Sequence, residues 1–283
     1  MNLPLKNNAA VSAELARQAD RYRLRILEMT IKGNGGHIGG SYSVIDMLTA
    51  LYHRVMNHDP QNPHWEGRDR LIFSKGHCCL ALYNVLAEFG YFPKENLETY
   101  YQDGGYLAGH PTYGKIPGAE ATAGSLGHGL SIAVGMAIAA RHRKQDRRIF
   151  TILGDGESNE GSVWEGFAAG GQFGLTNLTA IVDCNGYESL GTVDEIMSIE
   201  PLRGRLESFG WAVREIDGHD MDEILSTLES VPFHPSKPSA IISRTNKGNG
   251  VSFMENVSKW HYRAPSDDEA EQARREIEAR INR

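Results

Sequence analysis

Short apolar segments rich in β-branched residues alternate with amphipathic segments along most of the sequence, and this alternation limits the fold more than any other feature. The strand-like segments read RLIF, RRIFTIL, LTAIVDC, WAVREID and PSAIISR. Strands that alternate with helices usually pair in parallel, because each crossover helix returns the chain to the same edge of the sheet. We therefore predict an α/β fold, with a mostly parallel sheet and helices on both of its faces.

The length and the hydrophobic content favour one large domain. The chain has 283 residues, 40% of them hydrophobic, which is enough for a sizeable core, and α/β domains of this size are often single. We predict one domain over residues 1–283. Its last segment, residues 263–282, is strongly charged and is predicted to form a helix on the surface.

Charge and hydropathy exclude several classes of partner. The formal net charge is -7 at pH 7, whereas nucleic-acid binding requires clustered Lys and Arg, so we expect no nucleic-acid partner. We also expect no membrane span and a cytoplasmic protein, because the sequence has no run of about 18 apolar residues and its first residues lack the apolar core of a signal peptide. The three cysteines, Cys78, Cys79 and Cys184, are expected to be reduced.

Polar side chains follow two consecutive predicted strands. Asp155 stands between two glycines after RRIFTIL, and Asn185 follows LTAIVDC, 30 residues later (185 − 155). One helical crossover spans that distance, so parallel strands would deliver both side chains to the same crevice. Oxygen ligands suit Mg²⁺ or Ca²⁺, and a cation with few protein ligands completes its shell with phosphate oxygens and water.

Backbone groups beside Asp155 are suited to the anion that such a cation accompanies. Gly156 lets the chain approach a ligand closely, and the helix predicted to start at residues 158–160 presents N–H groups and the positive end of its dipole. The sequence therefore predicts a site for a cation and a diphosphate at one edge of the sheet.

The GDG segment together with the later asparagine resembles the thiamine diphosphate enzymes and, within them, the transketolase family. The resemblance extends from about Leu15 to Ala264 and is carried further by four histidines on Gly-rich or polar loops. They are His37 in GNGGHIGGS, His77 in FSKGH, His110 in AGHPTYG and His261 in SKWHYRAP. Six further histidines match no family motif and are interpreted as surface residues: His53, His58, His64, His142, His219 and His234.

The resemblance implies a role for each of these residues. His37 and His261 would position sugar hydroxyls and relay protons, with His261 also near the cofactor, and His77 and His110 would bind the diphosphate or the donor. The cation, Mg²⁺ or Ca²⁺, would be held by Asp155, Asn185 and the carbonyl of Tyr187. Further cofactor-binding positions are Gly124 and Leu126 beside the aminopyrimidine ring, and Gly156, Glu157 and Asn185 at the diphosphate end.

Two further positions bear on catalysis. Glu160 matches the acidic residue of the family's G-D-G-x-x-x-E-G pattern, which places it at a subunit interface, in contact with the glutamate that activates the cofactor. His128 departs from the family, in which most members carry glutamine at this point. Both residue types donate and accept hydrogen bonds, so the change can alter a local proton network without removing function.

The activating glutamate of the family lies in a second, pyrimidine-binding domain, which would follow the region matched here. The resemblance therefore implies the N-terminal subunit of a split transketolase. Its partner would be a C-terminal subunit that carries the pyrimidine-binding domain. Self-association across a two-fold axis would then give an α₂β₂ assembly with active sites between subunits.

The predicted reaction moves a two-carbon ketol unit from a ketose, expected to be a phosphate, to an aldose acceptor. Three alternatives stay open at this stage. They are a subunit similar to 1-deoxyxylulose-5-phosphate synthase, a non-catalytic module that only holds the cofactor, and a zinc hydrolase whose ligands are the histidines. The zinc hydrolase is disfavoured because the sequence contains no H-E-x-x-H motif. The sequence leaves the identity of the sugar open.

Overall fold

A computed structural model describes residues 8–283 and shows a five-stranded sheet in which every neighbouring pair of strands is parallel. The spatial order is β1-β2-β3-β5-β4. The strands are β1 (Arg70–Phe73), β2 (Ile149–Gly154), β3 (Leu178–Cys184), β4 (Ala212–Asp217) and β5 (Ser239–Arg244). This finding confirms the predicted α/β fold.

The α-helices flank this sheet. They are α1 (Asn8–Lys32), α2 (Ile38–Ala50), α3 (Cys79–Phe89), α4 (Gly129–His142), α5 (Gly161–Gln172), α6 (Val193–Met197), α7 (Leu202–Ser208), α8 (Met221–Glu229) and α9 (Asp267–Ile281). Short 3₁₀ turns occupy Gly76–Cys78, Lys94–Thr99, Gly156–Asn159 and Ser258–His261, and a π turn follows α2 at Leu51–Val55. No helix in the described part of the chain is both long enough and apolar enough to cross a membrane.

The alternation of side chains along the strands divides the core into two layers. In β2, Phe150 and Ile152 point into one layer, whereas Ile149 and Leu153 point into the other. Successive strand residues face opposite sides of a sheet, so a strand buried on both faces is apolar throughout. The first layer packs against α1, α2, α3, α8 and α9, and the second packs against α4, α5 and α7.

The second helix begins five residues earlier than the sequence pattern indicates. The sequence predicts this helix over residues 43–55, and the two glycines before it, Gly39 and Gly40, have low helix propensity. In the structure α2 starts at Ile38, and a Cβ on Gly39 would lie only 2.8 Å from the carbonyl oxygen of Trp260. The glycine therefore permits a close approach of two backbones, and this packing offsets its low helix propensity.

The charged segment at the C-terminal end forms α9, as expected, although one of its faces is buried. Ala270, Ala273 and Ile277 are 5%, 0% and 0% exposed, and the helix packs along α1. Ser266 and Glu269 form a capping box at its start. The short helix α6 was not predicted, but its capping box, Thr192 with Glu195, is a sequence signal that could have found it.

Three histidines interpreted as surface residues are half-buried and hydrogen-bonded, so that interpretation was wrong for them. His53 Nε2 lies 2.9 Å from the Tyr22 hydroxyl, and His58 lies 2.8 Å from the Tyr52 carbonyl oxygen. Burial lowers the pKa of both His53 and His58 below the usual 6.5. The third is His219, which is described below.

We predict that His53 and His58 make the protein less stable in acid. A histidine with a lowered pKa in the folded state binds fewer protons than the unfolded chain, so stability is present above pH 6.5 and falls as the pH decreases below it. His53→Gln removes one such group. The free energy of unfolding, measured with urea between pH 7.5 and 5, should fall less steeply with decreasing pH in the variant than in the wild type. The same pH dependence in both proteins would contradict the assignment.

Candidate active site

The candidate active site is a cleft of about 530 Å³ at the carboxyl ends of β1, β2, β3 and β5. All the site residues predicted from the sequence line it: His37, His77, His110, Gly124, Leu126, Asp155, Gly156, Glu157, Glu160, Asn185, Tyr187 and His261. The cleft is also lined by residues that were not predicted from the sequence, among them Lys75, Glu188, Ile196, Met197 and Lys247.

The register of the sheet explains how residues distant in sequence meet here. Gly154 pairs with Asp183 across β2 and β3, and the Asp155 N–H donates to the Asp183 carbonyl oxygen at 3.3 Å. Residues that follow the two strands therefore leave the sheet side by side. The crevice outside the carboxyl ends of parallel strands is the usual ligand site of open α/β sheets.

The four predicted histidines form one cluster around His37. The His37 ring centroid lies 5.0 Å from that of His77, 5.1 Å from that of His261 and 6.1 Å from that of His110. The rings of His77 and His261 are stacked 5.8 Å apart. Each histidine comes from a different segment, so the cluster exists only in the folded chain.

The environment keeps this cluster neutral. Burial, followed by the neighbouring His261 and His110, lowers the pKa of His37 to about 3. Burial and Lys247 lower the pKa of His261 to about 4, and burial also lowers the pKa of His77 and His110. A neutral imidazole both donates and accepts a hydrogen bond, as binding sugar hydroxyls or moving a proton requires.

His37 has an unused polar atom. Its Nδ1 is buried and has no hydrogen-bond partner among the described residues. Buried polar atoms in native proteins are almost always satisfied, and an exception calls for an explanation. A ligand that enters this cleft would supply the missing partner.

The first unpredicted residue of the cleft is Lys75, which follows β1. Its ammonium forms a buried ion pair with Asp183, which also accepts hydrogen bonds from the hydroxyls of Ser43 and Thr245. Burial disfavours both charges, but their mutual attraction outweighs it, so the pKa of Lys75 rises and the pKa of Asp183 falls. The pair therefore remains ionised inside the protein.

The second is Lys247, which differs from Lys75 in having no negative partner in direct contact within residues 8–283. Its ammonium donates to the carbonyl oxygens of Tyr187 and Glu188, at 3.1 and 3.0 Å, and lies 2.9 Å from His261 Nδ1. Burial lowers the pKa of Lys247 to about 8. A buried cation held only by neutral groups is suited to meeting an anionic ligand.

The carboxylate predicted to hold a cation lies beside this lysine. Asp155 Oδ2 accepts the Gly186 N–H at 2.6 Å, and Oδ1 accepts the Gly156 N–H at 2.8 Å. Burial and the nearby Asp183 carboxylate raise the pKa of Asp155 to about 6. A divalent cation would relieve this unfavourable charge, because an opposite charge within a few ångströms favours the ionised form.

The other two predicted cation ligands lie at the start of the next loop. Asn185 Oδ1 accepts the Tyr187 N–H at 3.1 Å, and its side chain is otherwise held by the Ser43 hydroxyl at 3.3 Å. The Tyr187 carbonyl accepts from Lys247 and retains a second lone pair. A carboxylate, an amide oxygen and a carbonyl form an all-oxygen donor set, which fits Mg²⁺ or Ca²⁺.

Residues 8–283 contain no group of three or more His, Cys, Asp or Glu side chains arranged to hold a metal. The predicted cation ligands Asp155, Asn185 and the Tyr187 carbonyl include only one carboxylate, so they do not form such a group. Cys78 and Cys79, which follow His77, are buried, and burial raises the pKa of both thiols. They pack at the start of α3, and all three cysteines are unpaired.

Glu157 joins three of the segments around the cleft through hydrogen bonds. Its carboxylate accepts the Gly127 N–H at 2.9 Å, the Gly154 N–H at 3.0 Å and the Ser74 hydroxyl. These contacts fix the segment before α4 against the end of β2. That Glu157 binds the cofactor stays a prediction, and three of its acceptor positions are occupied by the protein.

The outer rim of the cleft is exposed. Gly127 has a φ of +83°, and a Cβ there would lie 2.6 Å from the Glu160 Cβ, so the small residue allows the segment carrying Gly124 and Leu126 to approach α5. Glu160 and His128 are exposed, and His128 Nδ1 lies 3.0 Å from the Leu126 carbonyl oxygen. Two hydrophobic side chains that line the cleft are also exposed: Ile196 and Met197 are 44% and 62% exposed.

The fold and the cleft together define an α/β protein whose sheet edge presents two buried lysines, four neutral histidines and an oxygen-rich pocket. A family model described as "Transketolase, thiamine diphosphate binding domain" matches residues 16–280. The chain therefore belongs to the transketolase family and corresponds to its thiamine diphosphate-binding domain. This match confirms the predicted resemblance and the class of enzyme, a thiamine diphosphate-dependent transferase of the transketolase type.

Two relatives are similar over almost their whole length, and each is named as one subunit of a transketolase. The chain is 44% identical over 266 residues to such a subunit of the apulose-4-phosphate transketolase of Phocaeicola vulgatus, covering 94% of each protein. It is also 44% identical over 248 residues to a subunit of the 6-deoxy-6-sulfo-D-fructose transketolase of a Clostridium strain, covering 88% of this chain and 90% of that protein.

Single-chain transketolases are similar over part of their length. The transketolase structure from Campylobacter jejuni matches with a TM-score of 0.88 and 32% identity, covering 93% of this chain and 42% of that one. Rat transketolase is 34% identical over 267 residues, or 42% of its length. The chain thus spans about two-fifths of these larger proteins.

We predict that Glu157→Gln destabilises the fold. The amide retains one acceptor oxygen but directs an NH₂ group at protein donors, and leaving buried N–H groups unsatisfied costs about 1–3 kcal/mol. Urea unfolding should show a loss of this size, whereas Glu165→Gln, an exposed position on α5, should change stability little. A variant as stable as the wild type would mean that Glu157 does not hold the cleft together.

Proposed function

We propose that this chain is the diphosphate-binding subunit of a heteromeric transketolase. With a partner subunit, it would transfer a two-carbon ketol unit from a ketose to an aldose, using thiamine diphosphate and Mg²⁺ or Ca²⁺. The observation that carries the proposal is the convergence of all the predicted site residues on one cleft, together with Lys247, a buried cation whose contacts among the described residues are neutral.

The diphosphate would be bound by Lys247, by His77 and by the divalent cation. Lys247 offers a buried ammonium with only neutral contacts among the described residues, and His77 stacks beside it on His261. Asp155, Asn185 and the Tyr187 carbonyl would hold the cation that neutralises the remaining phosphate charge. The three N–H groups of Lys247 already contact the protein, so Lys247 would attract the phosphate through its charge.

Thiamine diphosphate, when bound, would supply the carbon nucleophile for ketol transfer. The chain's own contribution is to orient the sugar and move protons at its hydroxyl groups. His37 and His261 are suited to this because their lowered pKa values keep them neutral. The Lys247 ammonium, 2.9 Å from His261 Nδ1, donates to that nitrogen and so leaves Nε2 to carry the proton toward the cleft.

Three observations support a partner subunit. Two similar proteins that this chain matches over 94% and 96% of their length are each named as one subunit of an apulose-4-phosphate transketolase. Glu160, predicted to touch the activating glutamate, is exposed at the rim. Ile196 and Met197, which line the same cleft as Glu160, are exposed apolar side chains. We propose that a C-terminal transketolase subunit covers this rim and that the pair associates across a two-fold axis.

The substrate class follows from the relatives' names. They specify a sugar phosphate in one case and a sulfonated sugar in the other. A ketose with an anionic group at its far end is therefore the donor that we propose. Residues of this chain near the cleft mouth and residues of the partner would share its recognition.

The proposed function is tested with the chain purified together with its partner subunit. The pair is assayed with thiamine diphosphate and Mg²⁺ against ketose phosphates, a sulfonated ketose and unsubstituted ketoses, with an aldose acceptor. Transfer of a two-carbon unit from at least one anionic ketose is expected. A parallel assay supplies pyruvate and glyceraldehyde 3-phosphate in place of the ketose. Formation of 1-deoxyxylulose 5-phosphate there without ketol transfer, or cofactor binding without any turnover, would refute the proposal.

We predict that Asp155→Asn weakens cofactor binding in the presence of Mg²⁺. The amide keeps the shape of the side chain but removes the charge that holds the cation, so the dissociation constant should rise at least tenfold, about 1.4 kcal/mol. Calorimetric titration of the complex measures it. Asp194→Asn, an exposed position on α6, is the matched control and should bind as the wild type does.

We predict that His261→Ala lowers kcat at least a hundredfold while the dissociation constant of thiamine diphosphate changes less than threefold. General acid–base groups contribute about 10²–10⁴-fold to rate. The expected loss therefore appears in turnover more than in cofactor affinity. Equal losses in kcat and in cofactor affinity would assign His261 to cofactor binding instead.

A further inference from the structure

His219, in the loop between β4 and α8, contacts both helix α2 and the loop that carries Lys247 into the active-site cleft. Its Nδ1 lies 2.8 Å from Asp46 Oδ2, and its Nε2 accepts the backbone N–H of Asn246 at 2.9 Å. The side-chain amide of Asn249 lies 3.0 Å from the same Nδ1. His219 is half-buried, and it lies outside the residues that line the cleft.

These contacts define the tautomer of His219. Because Nε2 accepts a backbone N–H, it carries no proton, and the proton of the neutral ring is on Nδ1. That proton points to the Asp46 carboxylate. A carboxylate behind a histidine fixes both the tautomer and the orientation of the ring.

Asp46 is itself firmly held. Arg23, which is fully buried, donates to both oxygens of Asp46, at 3.2 and 2.5 Å, and to Asp20 at 2.9 Å. Arg280 of α9 also contacts Asp20, at 3.0 Å. The carboxylate that contacts His219 thus belongs to a network of ion pairs that joins α1, α2 and α9.

On its other side, His219 holds the loop that carries Lys247. The Asn246 N–H that it accepts belongs to the residue immediately before Lys247. The next residue, Gly248, donates its N–H to the Gly39 carbonyl oxygen of α2 at 3.0 Å. The backbone on both sides of Lys247 is therefore fixed, and its ammonium reaches the Tyr187 carbonyl and His261 from a defined position.

We propose that His219 is a positioning residue, which fixes the backbone at Asn246 and thereby the place of the Lys247 ammonium in the cleft. This inference rests on the proposed function, in which Lys247 meets the diphosphate. It goes beyond that function by assigning a role to a residue outside the cleft. His219 would act through the backbone bond to Asn246, and its bond to Asp46 would serve to orient the ring.

Two substitutions separate the two bonds of His219. In His219→Asn the side-chain NH₂ replaces Nδ1, so the bond to Asp46 is retained and the acceptor for Asn246 is lost. In His219→Gln the longer side chain places its oxygen near the position of Nε2, so the acceptor for Asn246 is retained. A role in positioning Lys247 predicts that Gln preserves function and Asn does not, whereas a purely structural role through Asp46 predicts the reverse.

Three quantities are measured for each variant, with the chain in complex with its partner subunit. They are the dissociation constant of thiamine diphosphate with Mg²⁺, kcat, and the rate at which acetic anhydride labels the Lys247 amine. For His219→Asn and His219→Ala we expect a dissociation constant raised about tenfold, a lower kcat and labelling of Lys247 increased severalfold. For His219→Gln we expect values within threefold of the wild type.

His58 provides the control, because it is half-buried and doubly hydrogen-bonded but does not line the cleft. His58→Asn should lower the melting temperature and leave Lys247 labelling and cofactor affinity unchanged. The inference is overturned if His219→Asn matches the wild type in labelling and affinity, or if the losses follow the melting temperature across all variants. Labelling needs neither cofactor nor turnover, so it decides the inference even if ketol transfer is absent and the proposed function fails.

Discussion

The buried ion pair between Lys75 and Asp183 is the interaction on which the rest of the site depends. Asp183 belongs to β3, Lys75 follows β1, and the same carboxylate accepts hydroxyl groups from Ser43 on α2 and Thr245 after β5. One side chain thus joins four segments at the point where the cleft opens. Removing one partner of such a pair costs about 3–5 kcal/mol, because the other charge is then buried alone.

The contacts of Asp183 hold the cleft in place, although several polar groups in the cleft lack a partner of opposite charge or a hydrogen bond. The Lys75 charge is neutralised inside the protein, whereas Lys247 is held only by neutral atoms of the described chain and Asp155 has a raised pKa of about 6. His37 retains a buried nitrogen with no partner in residues 8–283. A site with unpaired charges of both signs stays folded only when the surrounding structure compensates for it, and a ligand that carries a diphosphate and a divalent cation complements both.

Much of the fold and of the site could be predicted from the sequence, because both depend on local patterns. The alternation of strands and helices determined the parallel sheet, and the glycines around Asp155 marked a strand end that faces a ligand. The lysines were missed because a single Lys in a loop has no distinctive pattern, and Lys75 and Lys247 gain their meaning only from burial. His219 was misinterpreted for the same reason, since its partners Asp46 and Asn246 lie 173 and 27 residues away.

The dependence on a second polypeptide is tested most directly by measuring ketol transfer while a fixed amount of this chain is titrated with its proposed partner. Saturating thiamine diphosphate and Mg²⁺ are present throughout, and an anionic ketose serves as donor. We predict no measurable transfer by the chain alone and a linear rise that reaches a plateau at one partner per chain. Full turnover by the lone chain, shown by mass spectrometry to contain no other protein, would contradict the proposed division of the active site between two chains.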